Sequence, residues 1–333
     1  MSTSPAGPTG AGTSGPTGGG TFAVEGRPAA GLYVVAWVLG GIGLGALFIG
    51  LQIGPPWRGL LVIGALLLLL ASLASAAGYQ VIARRQRPAE RFHGPAPLVL
   101  FGFQFALVNA VSLVLYGLGV PLADTPLGFL IATVVLLGGY VVVVWLFAVR
   151  TRVLRWRDLG LCRPLSAGRV TADVAVAAAT MFGVALVAGI LGGLLAKLLD
   201  VSAPAVVPAP GSGLDVLLVA LGAGILVPIG EELFFRGYSL TAWLRDLGPR
   251  PALLRATVLF ALVHIVTLSS DSFSNGIRQA VLVLAIIGPV GFVLGWLFLR
   301  RGLIAAIAGH AAFNLFGILV LVLSQMLPPV PSG

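Results

Sequence analysis

The chain has 333 residues, of which 58% are hydrophobic and 9% charged, with a net charge of +9 and a mean hydropathy of +1.05. That composition excludes a water-soluble globular domain. The charge comes almost wholly from arginines in short loops, so it reads as a topology signal and not as a nucleic-acid surface. Cys162 is the single cysteine, which excludes an intrachain disulfide and a cysteine-based metal site.

Residues 1–30 are rich in Gly, Pro, Ser and Thr and cannot bury enough apolar surface to fold, so they are expected to form a disordered arm. No basic stretch precedes a short apolar one there, and no cleaved signal peptide is expected. Nine apolar runs follow, at about 31–53, 59–83, 96–119, 127–149, 174–196, 216–240, 252–268, 279–299 and 303–326. As helices they are long enough to cross a hydrocarbon core of ~30 Å. The expected fold is therefore an all-α polytopic membrane protein of about nine transmembrane helices. It divides into the arm, N-terminal helices over 31–150 with no assigned chemistry, and a domain over 170–326.

The arginines set the expected orientation. Arg84, Arg85, Arg87 and Arg91 lie between runs two and three. Arg150, Arg152, Arg155, Arg157, Arg163 and Arg169 lie between four and five. Arg245, Arg250 and Arg255 fall between six and seven, and Arg300 and Arg301 between eight and nine. The alternate loops carry Asp124, Asp200, Asp215 and Asp271 and almost no positive charge. Cytoplasmic loops are the basic ones, so this is a multi-pass cell-membrane protein with a cytoplasmic N-terminus and an outer C-terminus. Trp156 in the longest basic loop is placed to sit at headgroup level on a short amphipathic segment. An ordinary connector serves equally well.

Five ionisable residues interrupt these runs: Glu231, Glu232 and Arg236 in the sixth, His264 in the seventh and His310 in the ninth. The whole chain has four Glu and three His, so their concentration here is informative. An ionisable side chain in hydrocarbon costs several kcal/mol unless paired or hydrated, and such residues mark functional sites. Glu232 and Arg236 are four apart and share a helical face, so they are expected to pair. Glu231, turned ~100° away, is left as the carboxylate available for chemistry. His310 and Asn314 again share a face. At ~1.5 Å per residue His264 lies ~14 Å past Arg255 and His310 ~14 Å past Arg301, so the imidazoles can meet at one depth. Any one of these residues alone reads as a buried structural partner. Their joint arrangement does not.

Glu-Glu-x-x-x-Arg, Phe-x-x-x-His and His-x-x-x-Asn, in that order on helices six, seven and nine, resemble the CPBP family of CAAX-processing and bacteriocin-processing (Abi-type) intramembrane endopeptidases. The resemblance covers roughly residues 170–326. It implies hydrolysis of a peptide bond in a membrane-associated peptide or protein near the cytoplasmic face. It implies Glu231 as catalytic base with His264 as its partner on the attacking water, His310 and Asn314 as oxyanion donors, and Glu232 and Arg236 as a supporting pair. Both a zinc-activated and a metal-free water are open under it. Two His and one Glu match a catalytic zinc site, and the ligands would be Glu231, His264 and His310. The chemistry is coherent apart from the family, because peptide hydrolysis needs a base for water and donors for the oxyanion. A non-catalytic scaffold or immunity protein is the alternative. A proton-coupled transporter is disfavoured because Gly288-Pro289 has no counterpart in a matching half. The expected partners are the substrate and the lipid bilayer, with no nucleic acid.

Overall fold

The computed structural model describes residues 27–122, 125–161, 166–202, 207–266, 268, 270 and 272–326. Most of the Gly/Pro-rich arm, together with Asp124, Cys162, Arg163 and Asp271, lies outside the described residues. The described chain is all-helical, with no strand. Nine of its helices are long and apolar enough to cross a membrane. They are α1 (Ala30–Gln52), α2 (Trp57–Ala83), α3 (Pro97–Gly117), α4 (Pro126–Val149), α5 (Ala167–Leu198), α6 (Gly213–Leu247), α7 (Pro249–Val266), α8 (Phe273–Arg301) and α9 (Leu303–Met326). The protein is a multi-pass membrane protein.

Local chemistry starts these helices. Pro97 and Pro126 stand in the first turns of α3 and α4, where the missing N–H costs nothing. The hydroxyls of Thr125, Ser166, Ser212 and Ser272 accept from the backbone N–H three residues on, capping α4, α5, α6 and α8. The ends follow a different rule. Gly248 and Gly302, at φ of 81° and 92°, are all that separates α6 from α7 and α8 from α9. Each glycine donates its N–H to a carbonyl four residues back, so the chain turns within one residue. Two expected loops thereby shrink to hinges. Arg245 belongs to α6, Arg250 and Arg255 to α7, and Arg300 and Arg301 to α8. Long basic side chains can end a membrane helix without ending its hydrogen bonding, because they reach toward the headgroups.

Packing runs as a chain of neighbours. α1 lies on α2, α2 on α3, α3 on α4, and α4 on α6. On the other side α9 lies on α5, α6 and α8, and α7 lies on α8. α6 is the centre, and the main core gathers Tyr140 and Val143 from α4, Phe234 and Phe235 from α6, Phe260 from α7, and Leu294 from α8. The outer helices are apolar all round. Trp37, Leu44 and Phe48 of α1 are exposed, as lipid-facing residues should be.

The segment between α2 and α3 grips the far end of α6. Asp246 accepts from Phe92 N at 3.0 Å and pairs with Arg87 at 3.4 Å, while Arg91 reaches the Asp246 carbonyl. The buried Tyr238 hydroxyl donates to Pro95 O at 2.6 Å. The α4–α5 connector is likewise built into the core. Leu154 and Leu159 are buried, Trp156 packs against the same core, and Gly160 abuts Leu303. The Trp156 segment thus packs on the core as part of this connector.

Candidate active site

The site forms where α6 departs from regular α geometry. Residues Gly222–Leu226 and Leu233–Leu240 are π-helical, flanking the short α stretch Val227–Glu232. Such turns recur at functional positions, since they redirect side chains and free backbone groups. One such group is visible. Val227 N–H bonds to Gly222 O, and the next residue, Pro228, has no N–H to offer. The Ala223 carbonyl thus loses both helical donors, and Asn314 Nδ2 of α9 supplies one at 2.8 Å.

Glu232 and Arg236 form the expected pair, with Arg236 Nη1 to Glu232 Oε1 at 2.6 Å. Both residues are 0% exposed. The same Oε1 accepts from His310 Nδ1 at 2.8 Å, so one carboxylate oxygen joins α6 to α9. Arg236 Nη2 donates to the Gly291 carbonyl of α8 at 3.0 Å. The guanidinium stacks 4.2 Å from the Phe260 ring of α7, a favourable arrangement for a desolvated cation. Gly291 is required for that approach, since a Cβ there would lie 2.9 Å from Phe260 Cδ1.

Phe260 also locates the imidazoles. Its ring centroid is 4.7 Å from that of His264 and 5.9 Å from that of His310. His264 Nδ1 lies 2.8 Å from Phe260 O, and a carbonyl cannot donate, so Nδ1 carries the hydrogen. Phe260 thus stands between the two imidazoles. Glu231 is buried beside this cluster at 7% exposed, and its Oε2 has no hydrogen-bond partner among the described residues. Gly230 just before it is held tightly by Tyr140 and Leu137 of α4.

All six residues singled out in the sequence therefore lie in one region. Glu232, Arg236 and His310 touch directly, His264 joins them through Phe260, Asn314 anchors α9 to α6, and Glu231 flanks the pair. Phe260 was visible only as a letter in a motif. The Gly291 and Ala223 carbonyls were not visible as partners at all, although Pro228 announces that an acceptor nearby goes unfilled.

Among the described residues no three His, Cys, Asp or Glu side chains are grouped to hold a metal ion.

Residues 213–316 match the family model described as Type II CAAX prenyl endopeptidase Rce1-like. Over this segment the chain is similar to that family. The match begins with α6 and ends inside α9, so it contains every residue of the cluster. No curated protein and no solved structure matches. The first four helices lie outside the matched segment, yet α4 walls the side of α6 at Gly230.

Proposed function

We propose that the protein is an intramembrane endopeptidase that hydrolyses a peptide bond of a membrane-associated peptide or protein near the cytoplasmic face of the cell membrane. One observation carries this reading. Two adjacent carboxylates differ in their ties: each keeps one buried oxygen without a hydrogen-bond partner among the described residues, but Glu232 gives its other oxygen to Arg236 and His310, whereas Glu231 has no ion pair among the described residues. Glu231 takes a proton from water, with His264 as its partner, and the hydroxide adds to the substrate carbonyl. The oxyanion is met by Nε2–H of His310 in its imidazolium form, whose Nδ1–H is held by Glu232, and by Asn314, which keeps a second amide hydrogen while the first is on Ala223 O. The proton on Glu231 then passes to the leaving amine as the C–N bond breaks. The test is a comparison of membrane-protein cleavage products between the wild type and Glu231→Gln. A scaffold that works by binding tolerates that change.

Glu231, His264 and His310 are the residues that would hold a zinc ion, which would supply another way to activate the same water. The metal-free route supported by the scattered donors predicts that purified protein keeps its turnover after dialysis against a strong chelator. Loss of turnover restored by zinc alone would reverse that assignment.

Asn314→Ala is expected to lower turnover about 100-fold, the effect of one lost oxyanion donor. It also removes the donor to Ala223 O, so a stability loss of about 1 kcal/mol should accompany it. Turnover is to be measured on the folded fraction. Full activity there removes the oxyanion role.

The basic ends of α2, α4, α6 and α8 support a reading in which this side of the protein faces the cytoplasm, with the N-terminus on the same side. Cysteines substituted for Arg87 or Arg155 should react only with thiol reagents that cross the membrane. Labelling of intact cells by an impermeant reagent reverses the orientation.

A further inference from the structure

A second polar site lies away from the Glu231–His310 cluster, where the start of α5 meets the end of α8. Arg169, Ala172 and Asp173 from α5 and Trp296, Arg300 and Arg301 from α8 line an open groove of about 480 Å³. Asp173 is its floor. This buried carboxylate holds Arg301 at 2.7 Å and reaches Arg169 at 4.0 Å. Arg169 keeps 69% of its side chain exposed, and Arg300 is exposed with no ion pair among the described residues. Three guanidiniums thus face one carboxylate, and the groove keeps positive charge that no group among the described residues neutralises.

We infer that this groove binds the phosphate headgroup of an anionic phospholipid. Guanidiniums suit phosphate because their planar fork presents paired N–H donors to its oxygens. Asp173 presets Arg301 and so reduces the ordering cost of binding. Position then selects a lipid over a free anion. One turn from Arg300 toward the membrane interior stands Trp296, 40% exposed, and one turn further Phe292, 48% exposed. On α5 the descent from Arg169 runs through Ala172 to the exposed Val176. A charged mouth above an aromatic ring and an apolar strip is the shape of a headgroup with its acyl chain below. Basic grooves between membrane helices at the cytoplasmic side take anionic headgroups in this way, and tryptophan favours the same level. The site has a structural consequence as well. α5 and α8 both pack on α9, which carries His310, so a bound lipid would brace the frame of the cluster without touching it.

The test is native mass spectrometry of the detergent-purified full chain, titrated with a phosphatidylglycerol and with a phosphatidylcholine of identical acyl chains. The wild type should retain phosphatidylglycerol and bind phosphatidylcholine at least about tenfold more weakly. The double substitution Arg169→Gln/Arg300→Gln should weaken phosphatidylglycerol about thirtyfold, since it removes two of the three guanidiniums. Both side chains are exposed and outside the core, so the melting temperature should stay as in the wild type. Arg255→Gln, an exposed arginine on α7, should leave the affinity unchanged. Equal retention of the two lipids, or undiminished phosphatidylglycerol binding by the double variant, overturns the assignment. So does full displacement by millimolar inorganic phosphate, which would make the groove a free-anion site. The readout is binding, so it stands apart from whether the protein cleaves peptides.

Discussion

Glu232→Gln should empty the membrane of most folded protein and abolish activity at the same time. In the wild type, one Glu232 oxygen accepts from both Arg236 and His310, and all three residues are buried. The amide that replaces it is neutral. Arg236 then keeps the Gly291 carbonyl, the face of Phe260 and only the unbonded charge of Glu231 nearby. Leaving one member of a buried ion pair unmatched costs about 3–5 kcal/mol. That is a large share of the roughly 5–15 kcal/mol that holds a typical domain together. Quantitative blotting of the membrane fraction and a thermal melt in detergent measure it. A second substitution separates charge from catalysis. Glu232→Gln/Arg236→Met removes the stranded cation, and exchanging a whole buried pair for apolar packing is often neutral. Abundance should recover while activity does not, because His310 no longer faces a carboxylate. Normal abundance of the single Glu232→Gln variant would show that the pair does not stabilise this core.

The pattern of what the sequence discloses follows from the range of the interactions. All nine spans are legible because each is a local run of apolar residues, and the Glu232–Arg236 pair is legible because both ends lie on one helical turn. The level of the two histidines follows from counting residues from a charged helix end, and Phe260 shows them brought together. The Glu232–His310 bond is different. It links residues 78 apart, and spacing along the chain does not say which glutamate faces α9. Backbone acceptors are harder still, because a carbonyl carries no residue signature. Gly291 O and Ala223 O enter only once helices are packed, although Pro228 marks the second as an acceptor short of a donor. The grip of Asp246 on the α2–α3 segment was hidden for another reason. Residues near 246 read as a polar loop, whereas α6 continues to Leu247 and delivers that carboxylate to Phe92 and Arg87. Function in the first four helices is thus architectural at least in part. They hold the end and one wall of the helix that carries the two glutamates.

Glu231→Gln should do the opposite of Glu232→Gln, leaving abundance at the wild-type level while removing turnover. Glu231 is buried, and its Oε2 accepts nothing from the described protein. A carboxylate in that setting adds no ion pair for the fold to lose, and a neutral amide of the same shape is easier to bury. The melting temperature should therefore hold or rise slightly. Catalysis has no such tolerance. The amide cannot accept a proton from water, and loss of a positioned general base lowers rate by about 10²–10⁴-fold. The residual rate should match that of Glu231→Ala, since neither side chain is a base, and Glu231→Asp should recover part of it if the shortened carboxylate still reaches the water. Turnover of a membrane-associated peptide by purified protein, paired with a melt of the same sample, gives both numbers. Wild-type turnover in Glu231→Gln would remove the base from the mechanism. An abundance loss as large as that of Glu232→Gln would show that the two carboxylates share one structural role, and the division on which the protease reading stands would be gone.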